Sequence, residues 1–180
     1  MTIAINDTIS LELASQAHAT GLFEAVDQNR EHLSRFLPWV GNMQTADDMK
    51  NYLQYCETLY QQKTEVSFVI TAGGKIAGRV GLHYIHPHNR VAAIGYWLSK
   101  EFEGRGIILQ SCKALIQYGF EQLGLHRIEI KAAVQNTRSQ AVPEKLHFTK
   151  EGILREAELV NGAFVDLVLY SLLEPEWRGV

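Results

Sequence analysis

The segment that most constrains this chain is Phe102-Glu103-Gly104-Arg105-Gly106-Ile107, together with its flanks. Val91–Leu98 precedes it, an apolar and aromatic run that reads as a strand. After Gly106, Ile108, Cys112, Leu115, Ile116 and Phe120 recur at helical spacing, and Gly124 stands where a helix-terminating glycine belongs. Residues 127–134 alternate again. The pattern predicts a strand–loop–helix–strand unit with glycines at the helix N-terminus. Glycines let successive N–H groups converge without interference from a Cβ, and the helix macrodipole adds partial positive charge there. Such a loop suits a phosphate or pyrophosphate. A Gly-x-Gly that merely turns the chain is the competing reading. Two other phosphate loops are excluded. There is no Gly-x-x-x-x-Gly-Lys-Ser/Thr, and Leu109 stands where the dinucleotide fingerprint needs its third glycine.

Composition sets the remaining bounds. With 180 residues, 46% hydrophobic and 21% charged, the chain is expected to form one globular domain over 1–180. A net charge of −3 offers no basic footprint for nucleic acid or an anionic membrane. Cys56 and Cys112 fall on the apolar stripes of expected helices and read as buried thiols, too few for a disulfide framework. No basic segment followed by an apolar run opens the sequence, and no stretch reaches membrane-span length. The expectation is a soluble, cytoplasmic protein.

Along the chain, residues 8–13 read as a strand and 16–29 as a helix burying Ala19, Leu22, Phe23 and Val26. A short second helix carries Leu33 and Phe36 and stops before Pro38. The apolar stretch Phe36-Leu37-Pro38-Trp39-Val40 either packs two helices together or walls an acceptor pocket. Thr45 is a good N-cap, with Asp47 and Asp48 in the first turn of a helix that reaches about residue 62. Val66–Ala72 and 76–85 read as a hairpin turning at Gly73-Gly74. His83, His86 and His88 cluster, but no Cys or carboxylate completes a ligand set, so no metal is expected. Gly95, inside the Val91–Leu98 strand, marks a bulge or the close approach of another backbone. A splay there from the parallel partner strand 127–134 leaves N–H and C=O groups to which an extended amide chain can pair like an added strand. Residues 139–146 read as a short helix that holds Pro143. Asn161-Gly162 joins strands 155–160 and 164–173; its two-residue turn pairs Glu158 with Val165 and Ala157 with Asp166.

These motifs, in this order, resemble the GNAT superfamily of N-acetyltransferases over almost the whole chain. Gly104-Arg105-Gly106 after Tyr96-Trp97-Leu98 is similar to that family's acetyl-CoA pyrophosphate loop. Asn136-Thr-Arg-Ser139, Glu144-Lys145-Leu146-His147-Phe148 and Glu151-Gly152 are similar to the second half of its signature. The branch it most resembles is the RimJ/RimL type, which acetylates protein N-termini. The resemblance implies an α+β fold, a mixed and mostly antiparallel twisted sheet flanked by helices. It implies acetyl-CoA as co-substrate, no metal, and a homodimer as a reasonable state.

Acetyl transfer to an amine needs a base, an oxyanion donor and a group that eases departure of the thiolate. The resemblance extends through Ala157-Glu158 to Asn161-Gly162 and points to Glu158 as base; a solvated cross-strand glutamate is the alternative. The backbone N–H of Trp97 or Leu98 is the expected oxyanion donor. Many family members carry a thiolate-protonating tyrosine four residues beyond Ser139, where this chain has Pro143, so the role shifts to Ser139. Ser139 as a plain helix N-cap is the alternative. Expected cofactor contacts are Trp97, Leu98, Glu103, Gly104, Arg105, Gly106, Ile107 and Asn136, and expected acceptor contacts are Trp39 and Tyr96. Two further departures are Glu101, where the family prefers Gln or Arg, and His147, where it has glycine. A protein N-terminus is the implied acceptor. A small amine acceptor, a non-catalytic acyl-CoA-binding module and an interaction scaffold are the competing functions.

Overall fold

The computed structural model describes residues 1–177; the last three residues of the expected 1–180 domain lie outside them. The chain forms β1 (Thr2–Ala4), β2 (Ile9–Leu13), α1 (Ala19–Asp27), α2 (Arg30–Leu33), α3 (Ala46–Gln61), β3 (Val66–Ala72) and β4 (Lys75–His86). Then follow β5 (Val91–Leu98), α4 (Ile107–Glu121), β6 (Arg127–Ala133), α5 (Thr137–Lys145), β7 (Thr149–Val160) and β8 (Ala163–Leu173). Among the described residues eight strands make one sheet, in the order β1-β2-β3-β4-β5-β6-β8-β7. Of these strands only β5 and β6 pair parallel, and α4 connects them.

Strand alternation divides the side chains into two layers. Phe68, Ile70, Val80, Leu82, Ile94, Ile128 and Ile130 share one core with Cys112, Leu115, Ile116 and Phe120 of α4. Val69 and Trp97 point the other way, into a second core with Leu22 and Val26 of α1 and Met49 and Leu53 of α3. Each fully buried Leu or Ile here contributes about 2 kcal/mol relative to an exposed one. Thr45 caps α3 as expected: its hydroxyl accepts from the Asp48 N–H at 3.1 Å, and the Asp48 carboxylate accepts from the Thr45 N–H at 2.8 Å.

The structure also differs from the sequence expectations. A short strand, β1, was not anticipated, and β7 begins at Thr149 rather than near residue 155. The Asn161-Gly162 turn sets Glu158 opposite Val165 as expected, but Ala157 does not pair with Asp166. The register shifts between Leu154 and Glu158, and the Asp166 carboxylate accepts the Glu156 N–H at 2.8 Å in place of a ladder partner. The short helix starts at Thr137, and its N-cap is Asn136, whose side chain accepts the Ser139 N–H at 3.2 Å; Ser139 is not the cap. His147 has φ of 61°, which explains why glycine suits that position.

Arg79, on β4 beneath α3, is buried. Its Nη2 donates to Glu65 at 3.1 Å and to Ser67 at 2.6 Å, and its guanidinium lies 4.7 Å from the centre of the Tyr52 ring. The second Glu65 oxygen meets His83 Nδ1 at 2.8 Å. Burial by itself would raise the Glu65 carboxyl, but His83, Ser67 and Arg79 together hold it below the ordinary carboxylate value. Its stabilising contribution is therefore complete above that ordinary range and is lost as pH falls through the lowered value. Glu65→Gln leaves Arg79 without its counter-ion and is expected to cost about 3 kcal/mol in urea unfolding at neutral pH. The difference from wild type is expected to shrink in acid as Glu65 protonates.

Candidate active site

The site begins where two strands part. β4 and β5 pair without interruption from Gly78/Leu98 to His83/Ala93. β5 and β6 pair only from Val91/Arg127 to Ile94/Ile130. Beyond Ile94, β5 has no partner on its β6 side among the described residues. The Ser99 N–H donates to the Ala77 carbonyl at 2.8 Å, so odd-numbered residues of β5 turn their backbone groups toward β4. The N–H and C=O groups of Tyr96 and Leu98 then face the gap left by β6. Leu98 meets the expectation of a free donor; Trp97 does not, because alternation commits its N–H to β4. Gly95 is not a bulge, since Gly81 and Gly95 stay in register. Nor does another backbone crowd it: what a Cβ there would meet is the His83 ring, at 3.2 Å.

The glycine loop lies at the open end of this gap. Gly104 and Gly106 have φ of 75° and 70°, in the left-handed region, and Gly106 is the N-cap of α4. The first N–H groups of α4 have no intrahelical acceptors, and its first turn carries no acid. Glu103 beside them is acidic; its carboxylate pairs with Arg138 Nη1 at 2.5 Å and lies 3.0 Å from His32 Nε2. Arg105 does not line the cleft, contrary to its expected place beside a phosphate. Its guanidinium donates to the Glu101 carbonyl at 2.8 Å and sits 5.6 Å from the centre of the Phe102 ring.

Gap and loop open into one cleft of about 480 Å³. Of the residues expected to contact the cofactor or act in catalysis, Trp97, Leu98, Glu103, Gly104, Gly106, Ile107, Asn136 and Ser139 line it, and Phe36 and Leu37 form an apolar wall. Trp39 does not line it; its ring packs 6.1 Å from that of Trp97, backing the wall from the second core. Tyr96 lines the cleft, but its hydroxyl turns to α5, where it donates to the Ser139 carbonyl at 2.9 Å and lies 3.1 Å from Ser139 Oγ. Glu158 lies outside the lining. It is half-buried on β7, and burial pushes its carboxyl up. The tip of its hairpin is tied to the segment after α2, because Asn161 Nδ2 donates to the Ser34 carbonyl at 2.9 Å. Sequence reading missed His32 and Arg138. Arg138 stood inside the Asn136–Ser139 motif; His32 carried no signal of its own.

Cys56 and Cys112 are buried, and burial pushes both thiols up. Among the described residues no group of three His, Cys, Asp or Glu side chains is placed to hold a metal ion, and no helix is long and apolar enough to cross a membrane. What the cleft offers is a one-sided strand edge for an amide chain, convergent N–H groups for a pyrophosphate, and a hydroxyl between them. Those features define an acyl-CoA-dependent transferase.

Comparison with known proteins agrees. The signature of the acetyltransferase (GNAT) domain matches residues 9–149, and the chain belongs to this family. It is an acetyl-CoA-dependent N-acetyltransferase with the GNAT fold. Over 99% of its length it is 40% identical to a putative ribosomal N-acetyltransferase of Bacillus subtilis, covering 98% of that protein. It is 31% identical to the ribosomal-protein-serine acetyltransferase of Escherichia coli, covering 94% of this chain and 95% of that one. The solved structure of RimL, a ribosomal L7/L12 alpha-N-protein acetyltransferase in complex with coenzyme A, superposes with a TM-score of 0.94. That match covers 98% of this chain and all of the other at 30% identity.

Gly106→Ala puts a Cβ where φ is positive and is expected to cost about 1 kcal/mol of stability. It is also expected to weaken acetyl-CoA binding in calorimetry by roughly tenfold, through misaimed N–H donors at the start of α4.

Proposed function

We propose that this enzyme acetylates the α-amine at the N-terminus of a protein, and that its acceptor is a ribosomal protein. The observation that carries the reading is likeness over nearly the whole chain, cleft included, to relatives named for ribosomal-protein acetylation. The chemistry favours the same acceptor. An α-amine has a pKa near ~8 against ~10.4 for lysine, so roughly a tenth of it is neutral and nucleophilic at pH 7. The reading carries a cytoplasmic location with it.

In this proposal the free backbone groups of Tyr96 and the Leu98 carbonyl pair with the pantetheine arm, and Asn136 contacts it. The N–H groups at Gly104, Gly106 and Ile107 hold the pyrophosphate, with the Glu103 carboxylate engaged by Arg138 and His32. The co-substrate supplies the acetyl thioester. Leu98 N–H stabilises the oxyanion, and Ser139 Oγ–H stabilises the departing sulphur. Glu158, whose carboxyl burial raises, takes the proton of the attacking amine directly or through water.

The test is a panel of synthetic N-terminal peptides, lysine-bearing peptides with blocked N-termini, and polyamines, read by mass spectrometry. Acetylation at the free α-amine is the expected result; acetylation confined to polyamines or lysine side chains would contradict it. Glu158→Gln is expected to lower turnover by roughly a hundredfold while acetyl-CoA affinity is retained.

A further inference from the structure

We infer that Tyr96 is the positioning residue of Ser139: its phenol holds the serine hydroxyl toward the cleft and lets that hydroxyl turn to the leaving sulphur. The inference rests on the proposed role of Ser139 and adds a residue that role requires.

The argument starts at Pro143. It lies inside α5, four residues after Ser139, and has no N–H to give to the Ser139 carbonyl. The missing donor comes from outside the helix, as the Tyr96 hydroxyl donates to that carbonyl at 2.9 Å. The same phenol oxygen lies 3.1 Å from Ser139 Oγ. Asn136 accepts the Ser139 N–H at 3.2 Å. Every polar group of Ser139 is thus fixed by a named partner, and two of the three by one phenol.

The departure at 143 therefore has two effects. It removes the family's tyrosine from α5, and it opens the carbonyl that anchors a different tyrosine from β5. The phenol reaches the serine from a neighbouring element rather than from the next helical turn. Burial above all keeps the Tyr96 phenol protonated far above the ordinary tyrosine range, so it remains a donor at every working pH.

One phenol hydrogen serves two serine oxygens. When it points at the carbonyl, the phenol oxygen can accept the Ser139 Oγ–H. When it points at Oγ, the serine hydrogen is free for the cleft. The exchange needs only hydroxyl rotation. No atom passes through Tyr96: the amine nitrogen bonds to the acetyl carbon, the carbon–sulphur bond breaks, and the sulphur keeps the electron pair. The amine proton goes to the base. Ser139 meets the charge that forms on sulphur, and Tyr96 replaces the hydrogen bond that Ser139 gives up.

Tyr96→Phe, Ser139→Ala, the double variant and Tyr96→Phe/Pro143→Ala test this, with turnover, acetyl-CoA affinity and the pKa of the bound coenzyme A thiol, read from thiolate absorbance. Tyr96→Phe is expected to lower kcat roughly ten- to hundredfold with acetyl-CoA affinity kept, and to raise the bound thiol pKa as Ser139→Ala does. Tyr96→Phe/Ser139→Ala is expected to be no slower than Ser139→Ala alone. Pro143→Ala returns an N–H to the Ser139 carbonyl. Tyr96→Phe/Pro143→Ala is expected to recover melting temperature but not kcat. Full recovery of kcat there would reduce Tyr96 to a partner for the carbonyl and overturn the inference. So would an unchanged thiol pKa in Tyr96→Phe when Ser139→Ala shifts it. If Ser139→Ala changes neither kcat nor thiol pKa, the role of Ser139 itself fails.

Discussion

Everything at this site depends on β5 keeping one neighbour and losing the other. The β4 ladder holds β5 straight to Leu98, while β6 leaves after Ile130. An unpaired strand edge is normally a liability, because it offers N–H and C=O groups to any passing chain. Here the gap is walled by α5 and the segment after α2, and the glycine loop stands at its open end. An extended amide chain that ends in a pyrophosphate fits it on both counts, and a nucleotide without the amide chain would satisfy only the loop.

The two faces of β5 divide the work. Tyr96 and Leu98 turn their backbones into the gap, and the Tyr96 hydroxyl reaches α5. Trp97 turns its side chain to the second core, where Trp39, Val69 and Leu53 hold it. Aromatic packing of Trp97 on one face therefore fixes the strand whose free edge carries those backbone groups. The buried Arg79–Glu65–His83 cluster adds to this rigidity. Arg79 lies opposite Trp97 in the ladder, and His83 rests against Gly95 at the point of divergence.

The sequence made the unit from Val91 to residue 134 legible because its signals are local: a glycine pair, a helical stripe and two alternating runs. The Asn161-Gly162 hairpin was legible for the same reason, down to Glu158 facing Val165. What was not legible depends on long-range geometry. Tyr96 alternates with Trp97, and nothing in the sequence says which of them faces α5. Trp39 lies in the predicted wall segment, but its neighbours Phe36 and Leu37 are the ones at the surface of the cleft. Arg105 stands in the loop as an expected cofactor contact, yet its guanidinium bonds within that loop. His32 meets Glu103 only because α2 folds across the cleft. The bulge opposite Asp166 depends on a side chain standing in for a ladder partner, which no period-2 pattern records.

The central claim is that the cleft works as a half-paired strand. Amide hydrogen exchange with and without acetyl-CoA tests it most directly. The amides of Gly95 and Trp97, bonded to β4, should be protected in both states. Those of Tyr96 and Leu98 should exchange readily in the free protein and become protected when acetyl-CoA binds. Protection of Tyr96 and Leu98 before ligand is added, or none gained on binding, would contradict the account.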